Sequence, residues 1–146
     1  MSVNRHPSSM RRVALLGATG SIGRQAMQVV AAHPGLELCA LQSGSTPLDA
    51  LAAAHGVEHV QVGGDPTALL ERSAPDVVLN AVVGFAGIRA TLWALEHGVT
   101  LALANKESLV AAGDLALAAR RRGGGTILPV DSEHSAIFQC LDGKPS

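Results

Sequence analysis

Tyrosine is absent from the 146 residues, and aromatic residues of all kinds make up 2% of the chain. The Tyr–Lys proton-transfer couple on which short-chain dehydrogenases depend is therefore excluded. Only two cysteines occur, Cys39 and Cys140, far apart and without CxxC or Cys/His spacing. Neither a disulfide framework nor a zinc knuckle can be built from them. Charge is scarce, at 16% of residues, and 11 Lys+Arg against 12 Asp+Glu leave a net charge of −1. That balance provides no global basic field for nucleic acid or an anionic membrane. The one like-charge run, Arg120-Arg121-Arg122, falls where a helix C-terminus is expected, and cations suit the dipole there. No apolar stretch reaches the ~18–20 residues of a membrane span. Residues Met1 to Arg12 are basic, but no uninterrupted apolar region with a small-residue cleavage site follows. The expectation is a cytoplasmic protein with neither a nucleic-acid nor a membrane partner.

What the chain does have is apolar substance, 47% of residues, in a length that suits one domain, since a single core commonly needs about 100–200 residues. Short apolar runs alternate with helix-period runs, the pattern of βαβ units around a parallel sheet. Strands are expected at 12–16, 36–42, 59–62, 77–83, 100–104 and 126–130. Between them, Ser21 to His33 places Ile22, Ala26, Val29 and Val30 on one helical face. Pro47 to His55 reads as a short Ala-rich helix closed by Gly56. Asp65-Pro66 reads as a helix start, with Asp as the N-cap and Pro first in the helix. Ile88, Leu92 and Leu95 define a further face, with Gly98 placed for the left-handed C′ conformation. Asp114 to Arg122 is the last helix. Six strands with intervening helices predict an α/β, doubly wound, mostly parallel sheet of the Rossmann-like dinucleotide-binding kind. Residues 1–11 read as a disordered N-terminal extension and 12–130 as the nucleotide-binding domain.

Gly17-Ala18-Thr19-Gly20-Ser21-Ile22-Gly23 joins the first strand to the first helix. Glycines there let the backbone turn tightly and approach a pyrophosphate, whose charge meets the free N–H groups and positive dipole end of the helix. No GK[ST] follows, which excludes a Walker A loop. The alternative is a tight turn that packing alone requires. The second strand runs into Leu41-Gln42-Ser43-Gly44-Ser45-Thr46, without the acid that ordinarily meets a ribose 2′-hydroxyl about 20 residues on. No Arg or Lys stands in that turn either, so the choice between NAD and NADP stays open, leaning to NADP.

Asp131 and Glu133 follow the sixth strand, and ligands of open α/β sheets bind outside the carboxyl ends of strands. On an extended stretch both carboxylates point to one side, about 6.5–7 Å apart along the chain. Their repulsion at ~6 Å and an effective dielectric of ~20 is roughly 3 kcal/mol, which a divalent cation reverses in sign; hard oxygen ligands suit Mg²⁺ or Mn²⁺. A helix start with Asp131 as cap and Glu133 in the first turn explains the pair equally simply. His134 reads as a positioning or solvent-facing histidine. At the end of the fifth strand, Asn105-Lys106-Glu107 presents a lysine that either faces a ligand or pairs with Glu107 on the surface.

Taken together, Gly17–Gly23, Ala81-Val-Val-Gly-Phe-Ala-Gly87, Leu103-Ala-Asn-Lys-Glu-Ser-Leu-Val110 and Leu128-Pro-Val-Asp-Ser-Glu-His-Ser-Ala-Ile-Phe-Gln139 resemble the 1-deoxy-D-xylulose-5-phosphate reductoisomerases. The first block is nonspecific and the last two are highly specific. The resemblance runs from about Arg12 to Ser146 and covers that family's N-terminal nucleotide-binding domain, with 131–146 as the start of its catalytic domain. It implies an NADPH- and divalent-metal-dependent oxidoreductase and isomerase of isoprenoid precursor biosynthesis, using Mn²⁺ or Mg²⁺ (or Co²⁺). Such an enzyme converts the sugar phosphate 1-deoxy-D-xylulose 5-phosphate to 2-C-methyl-D-erythritol 4-phosphate. Matched by motif, Gly17, Thr19, Gly20, Ser21 and Ile22 would hold the cofactor phosphates and Gly44 the turn beside the adenosine ribose. Asn105 and Glu107 would contact the cofactor near its reactive end. Lys106 and Ser132 would bind substrate, and Asp131 and Glu133 the metal, Glu133 also touching substrate. With the resemblance, metal binding becomes the preferred reading of the acidic pair. Relatives form homodimers.

Three departures qualify that match. The chain stops at Ser146, short of the family's usual extent, so a third metal carboxylate and the substrate-phosphate groups have no counterpart. Ser45-Thr46 replaces a basic residue followed by Asn. Only Gly63 to Pro75 separates the third and fourth strands, where relatives carry a longer helical insertion. Two other readings compete: a semialdehyde dehydrogenase, for which Cys140 is the sole candidate nucleophile and lacks an activating basic neighbour before Lys144, and a non-catalytic NADP-binding module. Ile137, Phe138 and Leu141 would then lack a packing partner and favour association.

Overall fold

The computed structural model describes residues 10–82, 84–104 and 106–130. Its elements follow in the order β1 (Arg11–Leu16), α1 (Ser21–Ala32), β2 (Leu36–Ser43), α2 (Asp49–His55), β3 (His59–Val62), α3 (Thr67–Ser73), β4 (Val77–Asn80), α4 (Phe85–Glu96), β5 (Thr100–Leu103), α5 (Lys106–Gly123) and β6 (Thr126–Pro129). The strands form one six-stranded sheet in the order β3-β2-β1-β4-β5-β6. Every neighbouring pair is parallel. This is the doubly wound arrangement the alternating pattern predicts, with the winding reversing between β1 and β4.

Both faces of the sheet are covered, which is why the central strands read as continuous apolar runs. Val13, Leu15, Leu41, Val77 and Leu79 face α1 and α2, meeting Ala26, Met27, Val30 and Leu48. Ala14, Leu16, Val78, Leu101 and Leu103 face the other way, against Leu69 and Leu70 of α3 and Ala90, Trp93 and Ala94 of α4. Each fully buried leucine contributes about 1.5–3 kcal/mol relative to exposure. The Ile88, Leu92 and Leu95 stripe packs against Ala112, Ala116 and Ala119 of α5 rather than on the sheet. Helix α4 thus has two apolar faces, one for each neighbour.

The sequence-based boundaries differ from the structure in instructive places. Helix α3 runs from Thr67, with Pro66 before it already in the right-handed helical region, and the capping bond comes from Asp65 as expected, its Oδ1 accepting the Thr67 N–H at 3.0 Å. Proline cannot donate, so the carboxylate one residue earlier satisfies the first free amide. Helix α2 starts at Asp49, two residues after Pro47. Strand β4 ends at Asn80, and Val83 lies outside the described residues. The last helix reaches back to Lys106, interrupted at Gly113, whose φ of 45° and ψ of −118° are not helical. Gly98 takes the expected positive φ of 68° after α4.

One irregularity was not expected. The β1–β2 register shifts between Val13 and Ala14, pairing Val13 with Leu38 and Ala14 with Ala40. Cys39 is the extra residue of this bulge. Alternation therefore breaks, and Cys39 and Ala40 both lie against the α3–α4 layer. Burial pushes the Cys39 thiol up to about 11, partly offset by the Arg12 charge and a hydrogen bond with Ser73. Only the thiolate attacks electrophiles. In the folded chain at pH 8, a maleimide should modify Cys39 only at the rate of unfolding; rapid modification, read by mass spectrometry, would contradict its burial.

Candidate nucleotide-binding site

The site begins where β1 stops. Gly17 has a φ of +81° and lies so close to the β4 end that an added Cβ would sit 3.2 Å from the Ala81 carbonyl carbon. Gly23, one turn into α1, is pressed onto the same loop: a Cβ there would be 2.7 Å from Ala18 O and closer still to Gly17 O. These two approaches place the N-terminus of α1 over the carboxyl ends of β1 and β4. Gly20 caps the helix without any side-chain bond, and the first turn holds no acidic residue. The N–H groups of Ser21 and Ile22 meet no acceptor among the described residues. An uncompensated dipole end with bare amides fits a phosphate.

Two buried polar side chains hold this cradle, and neither was singled out from sequence. Gln42, at the end of β2, accepts both the Gly17 and Ala18 N–H groups on its carbonyl, at 3.0 and 2.9 Å. Its side-chain Oε1 lies 3.2 Å from Gly17 N and its Nε2 donates to Ser43 O at 3.1 Å. Asn80, fully buried at the end of β4, donates to Gly87 O at 2.8 Å and Thr91 Oγ1 at 3.1 Å. Its Oδ1 accepts the Val82 N–H at 3.1 Å. The available signal was a lone amide at the end of each of two apolar strands, since buried polar groups are kept only where they are hydrogen-bonded.

Gly44 lies exposed in the turn after β2. That turn is braced by Ser43 Oγ donating to Thr46 O at 2.5 Å and by Gly63 N–H donating to Ser43 O at 2.8 Å. Beyond Gly63, Asp65 pairs with Arg89 of α4 at 2.8 Å. Burial pushes the Asp65 carboxyl up, but hydrogen bonds from Thr67 and the Arg89 charge outweigh it and hold the group below its ordinary value.

The structure thus brings Gly17, Thr19, Gly20, Ser21, Ile22 and Gly44 to the carboxyl edge of β1 and β2. Lys106 and Glu107 form the start of α5, just past β5. Asn105, Asp131, Ser132 and Glu133 lie outside the described residues, as does Cys140. Strands β5 and β6 end level, with Leu103 paired to Pro129 and Val130 N–H bonded to Leu103 O at 3.1 Å. Among the described residues, no group of three His, Cys, Asp or Glu could hold a metal ion. No helix among them is long and apolar enough to cross a membrane.

Asn80→Ala should destabilise the chain by roughly 1–3 kcal/mol, because it removes the buried donor to Gly87 O and Thr91 Oγ1 and one acceptor of the Val82 N–H; urea unfolding followed by circular dichroism measures this. Gly23→Ala should cost more and loosen the loop, seen as lost amide-exchange protection at Gly17 and Ala18.

The family model described as 1-deoxy-D-xylulose 5-phosphate reductoisomerase matches residues 13–66 and 49–113. The two matches overlap, which fits a chain shorter than its relatives between β2 and β4. The enzyme of that name from Mycobacterium leprae is 47% identical over 161 aligned positions, covering 97% of this chain and 39% of its own length. Those positions outnumber the 146 residues here, so the relative carries residues with no counterpart. The Zymomonas mobilis reductoisomerase, solved with NADPH, superimposes with a TM-score of 0.68 at 38% identity, over 90% of this chain and 41% of that one. A reductoisomerase complex with NADPH, fosmidomycin and magnesium gives 0.72 at 36% identity, over 90% and 39%. The chain therefore spans about 39% of the length of its M. leprae relative. With a glycine loop at the winding switch and a match running through most of its strands, the chain belongs to the 1-deoxy-D-xylulose 5-phosphate reductoisomerase family.

Proposed function

We propose that this chain is the N-terminal, NADPH-binding part of a reductoisomerase acting on 1-deoxy-D-xylulose 5-phosphate, with residues 12–130 as the nucleotide domain and 131–146 as the beginning of the catalytic one. The observation that carries this reading is the α1 N-terminus, whose Ser21 and Ile22 amides meet no acceptor among the described residues and whose first turn holds no acidic residue, at the switch between β1 and β4. Thr19, Gly20, Ser21 and Ile22 would hold the diphosphate, Gly17 would let the loop close, and Gly44 would border the adenosine ribose. Gln42 keeps the loop in register with β2, so the amides are aimed before the ligand arrives.

Toward the reactive end, Asn105 and Glu107 would contact the nicotinamide half, Lys106 would donate to substrate oxygen, and Ser132 would hold substrate. Asp131 and Glu133 would hold Mn²⁺ or Mg²⁺ (or Co²⁺), Glu133 also meeting substrate; two carboxylates are the hard oxygen donors such ions prefer. When bound, the metal polarises the substrate oxygens for the skeletal rearrangement and NADPH supplies hydride for the reduction. This chain's own contribution is to orient the two ligands and neutralise their charge. Connectivity supports the assignment: Asp131 follows Val130, whose N–H is bonded to Leu103, and successive Cα atoms are about 3.8 Å apart. The level ends of β5 and β6 therefore favour the Lys106 and Asp131 segments working at one edge of the crevice.

The same geometry supports the narrower reading that these 146 residues by themselves bind NADPH weakly and catalyse nothing, since two carboxylates make a poor metal site. A cytoplasmic location and the homodimeric state of relatives belong to the whole enzyme of this proposal. Calorimetric titration should show NADPH binding that Ser21→Pro abolishes. NADPH oxidation with substrate and Mn²⁺ should stay at background; turnover by the chain alone would refute the narrower reading, and absence of any NADPH binding would refute the proposal.

A further inference from the structure

The turn after β2, where an NADP-binding sheet ordinarily keeps a cation for the 2′-phosphate, reads Ser43-Gly44-Ser45-Thr46 and carries none. The described arginines divide by their place in the fold. Arg11 and Arg12 start β1, Arg72 ends α3 and Arg120, Arg121 and Arg122 end α5, all at the amino edge of the sheet. Arg24 in the first turn of α1 and Arg89 in the second turn of α4 lie toward the carboxyl edge. They differ in preparation. Arg24 is exposed, whereas the Arg89 guanidinium is fixed from two sides.

On one side is the Asp65 carboxylate at 2.8 Å, with the two side chains 46% and 42% exposed. On the other is the Phe85 ring, 5.8 Å from the guanidinium carbon to its centroid. Phe85 opens α4 at the carboxyl end of β4 and is itself 73% exposed, so its ring is open to a ligand at that edge. Asp65 is in turn tied to the β2 end. Gly63 N–H donates to Ser43 O at 2.8 Å, and Gln61 Nε2 spans Gly63 O and Asp65 O at 2.9 and 2.8 Å. The β3–α3 turn therefore carries the ion pair beside the turn that lacks a cation.

We infer that Arg89, held between Phe85 and Asp65, is the residue that selects for the adenosine 2′-phosphate, with the Phe85 ring as an apolar platform at that end of the dinucleotide. The inference rests on the NADPH reading above. Chemically, the guanidinium has five donors, and one carboxylate oxygen at 2.8 Å leaves donors for a phosphate. Asp65 orients the fork, and the remaining guanidinium donors have a 2′-phosphate to meet that a dinucleotide with a free 2′-hydroxyl lacks, so such a dinucleotide gains nothing from Arg89. The selecting cation thus comes from α4, across the winding switch, in place of the β2–α2 turn.

The test is calorimetric titration of the chain with NADPH and with NADH, before and after Arg89→Ala, Arg89→Lys and Arg24→Ala. Arg89→Ala should weaken NADPH roughly tenfold or more, as expected for a lost charged hydrogen bond, and leave NADH unchanged. Arg89→Lys should restore part of the loss, and Arg24→Ala should leave the ratio of the two affinities intact. A circular-dichroism melt confirms folding, which an exposed ion pair scarcely affects. If Arg89→Ala weakens both dinucleotides alike, or neither, or if Arg24→Ala collapses the ratio instead, Arg89 is not the selector while the NADPH reading stands. If the unmodified chain binds neither dinucleotide, both readings fall.

Discussion

The close approach of α1 to the end of β1 is the constraint on which the rest of the site depends. Gly23 lies against the carbonyls of Gly17 and Ala18 in a space that admits no side chain. That contact sets where the helix starts, and the helix start sets where its amides and dipole point. The β1–β4 switch opens the crevice, but without the contact the crevice would face a helix flank rather than a helix end. Gln42 and Asn80 then fix the two walls, one from β2 and one from β4. Local backbone geometry, side-chain amides and sheet topology agree at this one place, the kind of agreement across levels expected of a foldable sequence.

Legibility followed the range of the interactions involved. The run His59 to Val62 was readable as a strand to the residue, because Gly63 and Gly64 end it abruptly. The doubly wound class was readable because six apolar runs and their helices alternate without exception. The Cys39 bulge was not, since it depends on how β2 lies against β1 and leaves the apolar pattern of Leu38 to Leu41 intact. Asn80 shortens β4 for a similar reason: its bonds go to α4 residues seven and eleven places further on. The Asp65 capping bond was legible, because an Asp before Pro offers an acceptor to the first free amide; only the helix start falls one residue later, at Thr67. At the site, the glycine loop announces itself through composition. Gln42 does not, because its value lies in the two amides, Gly17 and Ala18, that it accepts from the loop after β1.

The ion pair between Asp65 and Arg89 links the two halves of the winding. One partner leaves the left-hand strands through the β3–α3 turn; the other belongs to the first helix after the switch. Exposed pairs of this kind contribute little to stability, a median of about 0–1 kcal/mol. Its interest lies in placement. Leu69, Leu70, Ala90 and Trp93 pack α3 and α4 onto one face, so Arg89 stands on a packed helix and Asp65 in the short turn that leads into one. A charge mounted that way keeps its direction, which a charge on the Gly44 to Thr46 loop would not.

Strand β3 is the outer margin of the sheet, four residues long and only half-covered, and the two stretches of family match overlap across it. A sheet wound outward in both directions from its middle can shed or acquire a helix–strand unit at its periphery while β1, β4 and the phosphate cradle keep every neighbour they had. Change at that margin reaches the centre chiefly through the β3–α3 turn, which is bonded to Ser43 and carries Asp65.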